Sequence, residues 1–139
     1  MNILIVDDDT TLAQALDRAL KRWGHFVDTV GTGHDAAGII QDRQYDLILL
    51  DIFLPDGKGY EWIPMFKHQE PGRYIITMTG YNTPEMEKKV RSYGIAYYMA
   101  KPVSKNELKL IIDHLSNKQI HKEASHEQPE PKARPAAGR

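Results

Sequence analysis

Three consecutive aspartates, Asp7-Asp8-Asp9, close the first apolar run of the chain, and a fourth, Asp51, closes the run Leu47-Ile48-Leu49-Leu50. Thr79 and Lys101 stand at or just past the ends of two later apolar runs. Carboxylates that converge repel one another and stay ionised only where a cation neutralises them. Oxygen-only ligands select a hard divalent ion, and a partly hydrated octahedral Mg²⁺ suits one or two carboxylates plus a phosphate. With an ammonium opposite and a hydroxyl donor alongside, such a set has the parts of a phosphoryl-transfer site. There, positioning and charge neutralisation supply most of the catalysis. Asp51 is then the candidate nucleophile, through an acyl phosphate. Singly, each residue has a plainer reading. An aspartate triplet after a strand caps a helix, Thr79-Gly80 is turn chemistry, and Lys101 is a surface lysine. Their shared placement at strand ends carries the argument.

The elements that would position them alternate strictly. Asn2 to Val6 reads as a buried parallel strand. Thr10 to Trp23 has helical spacing of Leu12, Leu16, Ala19, Leu20 and Trp23, with Asp9 or Thr10 to cap it and Gly24 to stop it. Phe26 to Val30 is a second strand, and His34 to Gln41 a short helix weakened by Gly38. Leu47 to Leu50 is a third strand ending at Asp51. Leu54 to Gly59 is turn chemistry, and Tyr60 to His68 a helix with Trp62, Ile63 and Phe66 inward and Pro64 in its first turn. Tyr74 to Met78 is a fourth strand. The next helix, Thr83 to Tyr93, has Thr83 as N-cap, Pro84 at its first position and Gly94 past its end. Ala96 to Met99 is a fifth strand. Ser104, paired with Glu107 as a capping box, opens a last helix to about Ser116 that buries Leu108, Ile111, Ile112 and Leu115. Alternation of this kind predicts an α/β fold, a doubly wound parallel sheet with helices on both faces. Such sheets bind ligands beyond the carboxyl ends of their strands, where each candidate residue falls.

At these residues the sequence resembles the receiver domain of two-component response regulators. The resemblance rests on the acidic cluster after Ile3-Leu4-Ile5-Val6, the segment Leu49-Leu50-Asp51-Ile52-Phe53-Leu54-Pro55-Asp56-Gly57, Met78-Thr79-Gly80-Tyr81 and Ala100-Lys101-Pro102. It spans about Met1 to Leu115. It implies a five-stranded flavodoxin-like sheet in the order 2-1-3-4-5, an order for which a receiver protein is itself a standard example. It implies that Asp51 accepts a phosphoryl group from a phosphohistidine on a sensor histidine kinase or a phosphotransfer protein. It makes Asp8 a direct Mg²⁺ ligand, Asp7 a ligand directly or through water, and the Phe53 carbonyl a further ligand beside Asp51. Thr79 and Lys101 would engage the phosphoryl group, Lys101–Pro102 would be a cis bond, and Tyr98 would be the aromatic that turns inward when Thr79 moves. Tyr97 competes for that last role.

The chain departs from the family pattern in places. Gly80 stands where alanine is more common. Phe53 and Tyr81, each two positions past a site residue, are both large, and they are expected to crowd an attacking water and slow dephosphorylation. The expected domain is 1–117, with 118–139 a polar tail or linker that stays disordered. The 139 residues themselves hold no helix-turn-helix or catalytic module. Either the chain signals through protein contacts, on a face including Lys88, Arg91, Tyr98, Lys105 and Lys109, or it is a receiver fragment of a larger regulator. A scaffold receiver that never takes phosphate is a further alternative, opposed by the intact site residues. A homodimer formed on phosphorylation stays open.

Bulk properties agree. The 139 residues suit one domain, 41% apolar and 27% charged residues are ordinary globular values, and the net charge of −1 gives no general attraction to nucleic acid. No cysteine is present, which excludes thiolate chemistry and fits a cytoplasmic setting. No apolar run is long enough for a bilayer. The histidines have no pair at helical ligand spacing. A flavodoxin-like electron carrier is disfavoured because Asp7-Asp8-Asp9 would repel the flavin phosphate. An aspartyl-phosphate phosphatase is disfavoured because Phe53 stands where that class needs a proton donor. The protein is therefore expected not to be a turnover enzyme.

Overall fold

A computed structural model describes residues 1–127 of the chain. In the segment Met1–Val103, strands β1 (Asn2–Val6), β2 (Phe26–Val30), β3 (Leu47–Asp51), β6 (Tyr74–Thr79) and β7 (Tyr97–Ala100) form one sheet in the order β2-β1-β3-β6-β7. All its pairings are parallel. Two short strands, β4 (Phe53–Leu54) and β5 (Gly57–Lys58), form a separate antiparallel ribbon. Counting the main sheet alone, the order is the expected 2-1-3-4-5.

The sequence pattern explains the sheet. β1 and β3 lie inside it and are covered on both faces, so Ile3 to Val6 and Leu47 to Asp51 are all buried and read as unbroken apolar runs. β2 is an edge strand and alternates, with Phe26 exposed and Val27 buried. Leu4, Val6, Ile48, Leu50 and Ile75 pack with Ala36 and Ile40 of α2 (Gly33–Asp42) and with Phe66 of α3 (Ile63–Gln69). Each fully buried aliphatic side chain contributes about 1.5–3 kcal/mol.

Helix ends follow the capping residues. α1 (Thr10–Arg22) is capped by Asp9, whose carboxylate accepts the Leu12 amide at 3.1 Å, which decides between Asp9 and Thr10. α4 (Pro84–Arg91) is capped by Thr83 through the Met86 amide, with Pro84 at its start, and Gly94 takes φ +81° beyond its end. Two segments differ from expectation. The turn after Asp51 is the β4–β5 ribbon with Gly57 at φ +131°, and the helix expected from Tyr60 begins as a 3₁₀ turn over Gly59–Trp62 before α3 takes over. With Pro64 at the second position of α3, the ring that lacks an N–H sits where none is needed.

The segment from Ser104 holds one described helix, α5 (Lys105–Glu127). Ser104 Oγ accepts the Glu107 amide at 3.2 Å, and Leu108, Ile111, Ile112 and Leu115 are its buried residues. It runs well past Ser116, so the expected disordered tail from 118 is corrected over 118–127. Beyond Ser116 the apolar period fades to Ile120, but neither Gly nor Pro interrupts the chain before Pro129, and Lys, Gln, Glu and Ala sustain a helix. The rest of the expected tail, 128–139, lies outside the described residues. Among the described residues no helix is long and apolar enough to cross a membrane.

Candidate functional site

The parallel register brings the ends of β1, β3, β6 and β7 to one rim. Val6 pairs with Leu50, Asp51 with Met78, and Thr79 with Ala100. The residue that follows each strand, or ends it, therefore faces a shared volume.

Asp7, Asp8 and Asp51 each offer a carboxylate oxygen within 4.8 Å of the others. Asp7 is 3% and Asp51 6% exposed, whereas Asp8 stands in solvent. Lys101 reaches between the two buried carboxylates, with Nζ 2.9 Å from Asp7 Oδ2 and 3.0 Å from Asp51 Oδ2. The peptide bond from Lys101 to Pro102 is cis, as expected. Asp51 Oδ1 accepts the Phe53 amide at 3.2 Å, and Asp7 Oδ1 accepts the Asp9 amide at 2.9 Å.

Burial lifts the Asp51 carboxyl above the usual carboxylate range, with the Asp7 charge adding to it against the Phe53 amide and Lys101. Burial also works against the Lys101 ammonium, but its close contacts with the Asp7 and Asp51 carboxylates outweigh that, and its pKa is raised. The site thus holds more negative charge than its lysine neutralises. Asp7 Oδ2 is buried and makes only the close ion pair with Lys101, without the alignment of a hydrogen bond. A buried carboxylate oxygen with unspent lone pairs, in an all-oxygen donor set, fits a hard cation such as Mg²⁺.

Thr79 is buried, but its hydroxyl is turned to its own chain. It donates to the Tyr81 carbonyl and accepts the Tyr81 amide, both at 3.0 Å. The Tyr98 ring is half-buried beneath Arg91, 5.7 Å from its guanidinium carbon, and its hydroxyl donates to Asn82 Oδ1 at 3.0 Å. Tyr97 is more exposed than Tyr98. Phe53 and Tyr81, both exposed, meet edge to face with centroids 6.3 Å apart beside the site. A cavity of about 660 Å³ along β2, lined by Phe26, Asp28, Arg43 and Tyr45, contains none of these residues.

Gly59 was legible only as turn chemistry, yet it is fixed by the site. A Cβ there would lie 2.0 Å from the Asp51 carbonyl oxygen. The signal in the sequence was the glycine itself, eight residues past Asp51, with nothing to say which backbone it approaches.

The chain matches the family described as response regulator receiver domain over residues 3–113. It is 35% identical over 115 residues to the DNA-binding transcriptional regulator NtrC of Azospirillum brasilense, covering 83% of this chain and 24% of that protein. It is 34% identical over 110 residues to the cell cycle response regulator CtrA of Brucella ovis, covering 78% and 47%. The chain thus spans a quarter to a half of the length of these relatives. Among solved structures, it resembles a CheY-like receiver domain protein from Methanospirillum hungatei with a TM-score of 0.79 and 30% identity, over 86% of this chain and 97% of that one. Sequence match, strand order and the acidic rim agree, and the chain belongs to the receiver domains of response regulators, the phosphorylation-based switches of two-component signalling.

Proposed function

We propose that Asp51 is the phosphoacceptor of this receiver, working with a Mg²⁺ held by Asp7, Asp8, Asp51 and the Phe53 carbonyl. The observation that carries this reading is the meeting of three carboxylates within 4.8 Å, two of them buried and bridged by one lysine. An Asp51 oxygen attacks the phosphorus of a phosphohistidine on a sensor kinase or phosphotransfer protein. The P–O bond forms as the P–N bond breaks, and the imidazole leaves. A bound Mg²⁺ would supply charge neutralisation for the carboxylates and the phosphoryl oxygens.

The chain's own residues do the rest. The Phe53 amide and Lys101 orient the Asp51 carboxylate, and Lys101 then faces the phosphoryl charge of about −1.5 to −2. Thr79 rotates from Tyr81 to a phosphoryl oxygen, and Tyr98 leaves Asn82 for the space behind it. Phe53 and Tyr81 shield the acyl phosphate from water. The output is a changed surface read by a downstream protein, and the domain is a switch that handles its own phosphate rather than a turnover enzyme. Whether two phosphorylated copies pair is a separate property of the same surface.

Intact mass after incubation with acetyl phosphate tests the reading. Wild type gains one phosphate in Mg²⁺ and none in chelator, and Asp51→Asn gains none. A phosphate on Asp51→Asn, or Mg²⁺-independent gain, refutes it.

A further inference from the structure

We propose that Asp56 is a positioning residue for the cation site: from the turn of the β4–β5 ribbon its carboxylate caps α2, and so holds Phe53 and the Asp51 main chain in place. This inference rests on the Mg²⁺ reading above.

The amides at the start of a helix have no acceptor within it. In α2, Thr32 Oγ1 takes the Asp35 amide at 3.0 Å. The two amides ahead of it go to a residue far along the chain. Gly33 N–H donates to Asp56 Oδ1 at 3.0 Å, and His34 N–H to Asp56 Oδ2 at 2.9 Å. Each carboxylate oxygen thus accepts one amide, at the helix end where the dipole favours a negative charge. The bonds from the His34 and Gly33 amides hold the Asp56 carboxyl below the usual range, and its side chain is 19% exposed.

The joint is closed by Trp62, in the 3₁₀ turn that follows the ribbon. A Cβ at Gly33 would lie 2.1 Å from the indole nitrogen, so the helix start and the indole touch only because residue 33 is glycine. The His34 ring meets the same indole edge-on, with centroids 5.1 Å apart.

From Asp56 the ribbon leads directly to the site. Leu54 pairs with Gly57 and Phe53 with Lys58. The Gly59 amide donates to the Ile52 carbonyl at 2.8 Å, and the Phe53 amide donates to the Asp51 carboxylate. The ribbon is two residues long on each strand, and a pair that short does not hold its shape in water alone. Its anchor on α2 supplies the missing constraint. The placement of the Phe53 carbonyl therefore depends on a carboxylate that never touches the ion.

Calorimetric titration of the full chain with MgCl₂, alongside thermal melts, tests this. Asp56→Ala is expected to weaken Mg²⁺ binding about tenfold, the lower end of what partners of metal ligands contribute. Asp56→Asn, with one acceptor oxygen left, is expected to fall between. Thr32→Ala removes the other cap of the same helix without touching the ribbon. It is expected to lower the melting temperature and leave the Mg²⁺ affinity unchanged, which a merely structural role for Asp56 would also predict of Asp56→Ala. Asp56→Ala or Asp56→Asn binding Mg²⁺ as wild type does, or Thr32→Ala weakening it equally, overturns the inference alone. Wild type that binds no Mg²⁺ overturns the reading beneath it, and this inference with it.

Discussion

Replacing Gly59 with alanine would press a methyl group against the main chain of Asp51, the proposed phosphoacceptor. The new Cβ would sit 2.0 Å from the Asp51 carbonyl oxygen, 3.1 Å from its carbon and 3.3 Å from a Leu50 methyl. The nearest atom belongs to a backbone in the middle of the sheet, so no rotamer change relieves the clash. The two backbones must part by about 1 Å to reach even a tight contact. Overpacking of this kind costs about 1–3 kcal/mol. Stretching the 2.8 Å bond from the Gly59 amide to Ile52 adds about 1 kcal/mol. The sum, roughly 2–4 kcal/mol, corresponds to a melting point lower by roughly 8–16 °C for a domain of this size. The same shift moves Asp51 and Phe53, the proposed ligands, and an ångström of misplacement costs on the order of 10²-fold in rate. Urea unfolding and the rate of phosphate gain from acetyl phosphate are the assays. Gly38→Ala is the control. Its Cβ meets nothing within 4 Å inside α2, so it is expected to stabilise by about 1 kcal/mol. A Gly59→Ala protein within about 0.5 kcal/mol of wild type and phosphorylated at the normal rate would show the packing argument to be wrong.

The double mutant Phe53→Asn, Tyr81→Ala opens the edge-to-face pair beside Asp51, and its acyl phosphate is expected to hydrolyse faster. An unchanged half-life counts against the shield. Thr79→Ala and Lys101→Ala are each expected to leave a partial switch by partner-binding titration. Moving a conformer from 1% to 99% takes roughly 5.5 kcal/mol, whereas one charge-assisted hydrogen bond supplies about 1.5–3. Full partner affinity in either phosphorylated mutant contradicts that. Away from the site, Tyr45 Oη donates to Asp28, which also pairs with Arg43. The Tyr45 bond, first among the causes, holds the Asp28 carboxyl low, so its stabilisation is present above the unfolded pKa of 3.8 and is lost as pH falls through the lower folded value. Burial pushes the Tyr45 hydroxyl up to about 12, so its stabilisation is present below pH 10 and is lost as pH rises toward 12. Tyr45→Phe is expected to lower stability at neutral pH by about 1 kcal/mol, given that Asp28 is a third exposed, and to flatten the alkaline limb of the stability profile. An alkaline limb identical to wild type speaks against this.

Much of the fold was legible because its signals are local. Val6 and Leu50 end unbroken apolar runs, so the strands and their last residues could be placed from the sequence. Thr83-Pro84 and Gly94 mark α4 at both ends. The rim followed from topology, since every strand of a parallel sheet delivers its carboxyl end to one side. What the sequence hid are contacts made by residues that look ordinary. Asp56 reads as a turn residue because its acceptors' partners lie at 33 and 34, with no periodicity to link them. Gly59 reads as a loop glycine because the backbone it approaches belongs to Asp51. The length of α5 was hidden for a different reason. Its later turns carry little apolar signal, and the helix persists there on the propensity of its residues. The orientation of Thr79 toward Tyr81 was also not legible, because residue type does not say which neighbour a hydroxyl turns to.

Thr79 Oγ1 both gives and receives a hydrogen bond with the main chain of Tyr81. A hydroxyl so occupied cannot be recruited elsewhere without dissolving the small loop it stitches together. The Tyr81 ring stands on that loop and leans on Phe53. On the proposed function, latch and shutter are therefore one moving part: a rotation of Thr79 toward the phosphoryl group also loosens Tyr81, half of the aromatic pair it forms with Phe53. In that reading the signal and its lifetime are geared together, so a substitution chosen to tune one is expected to move the other.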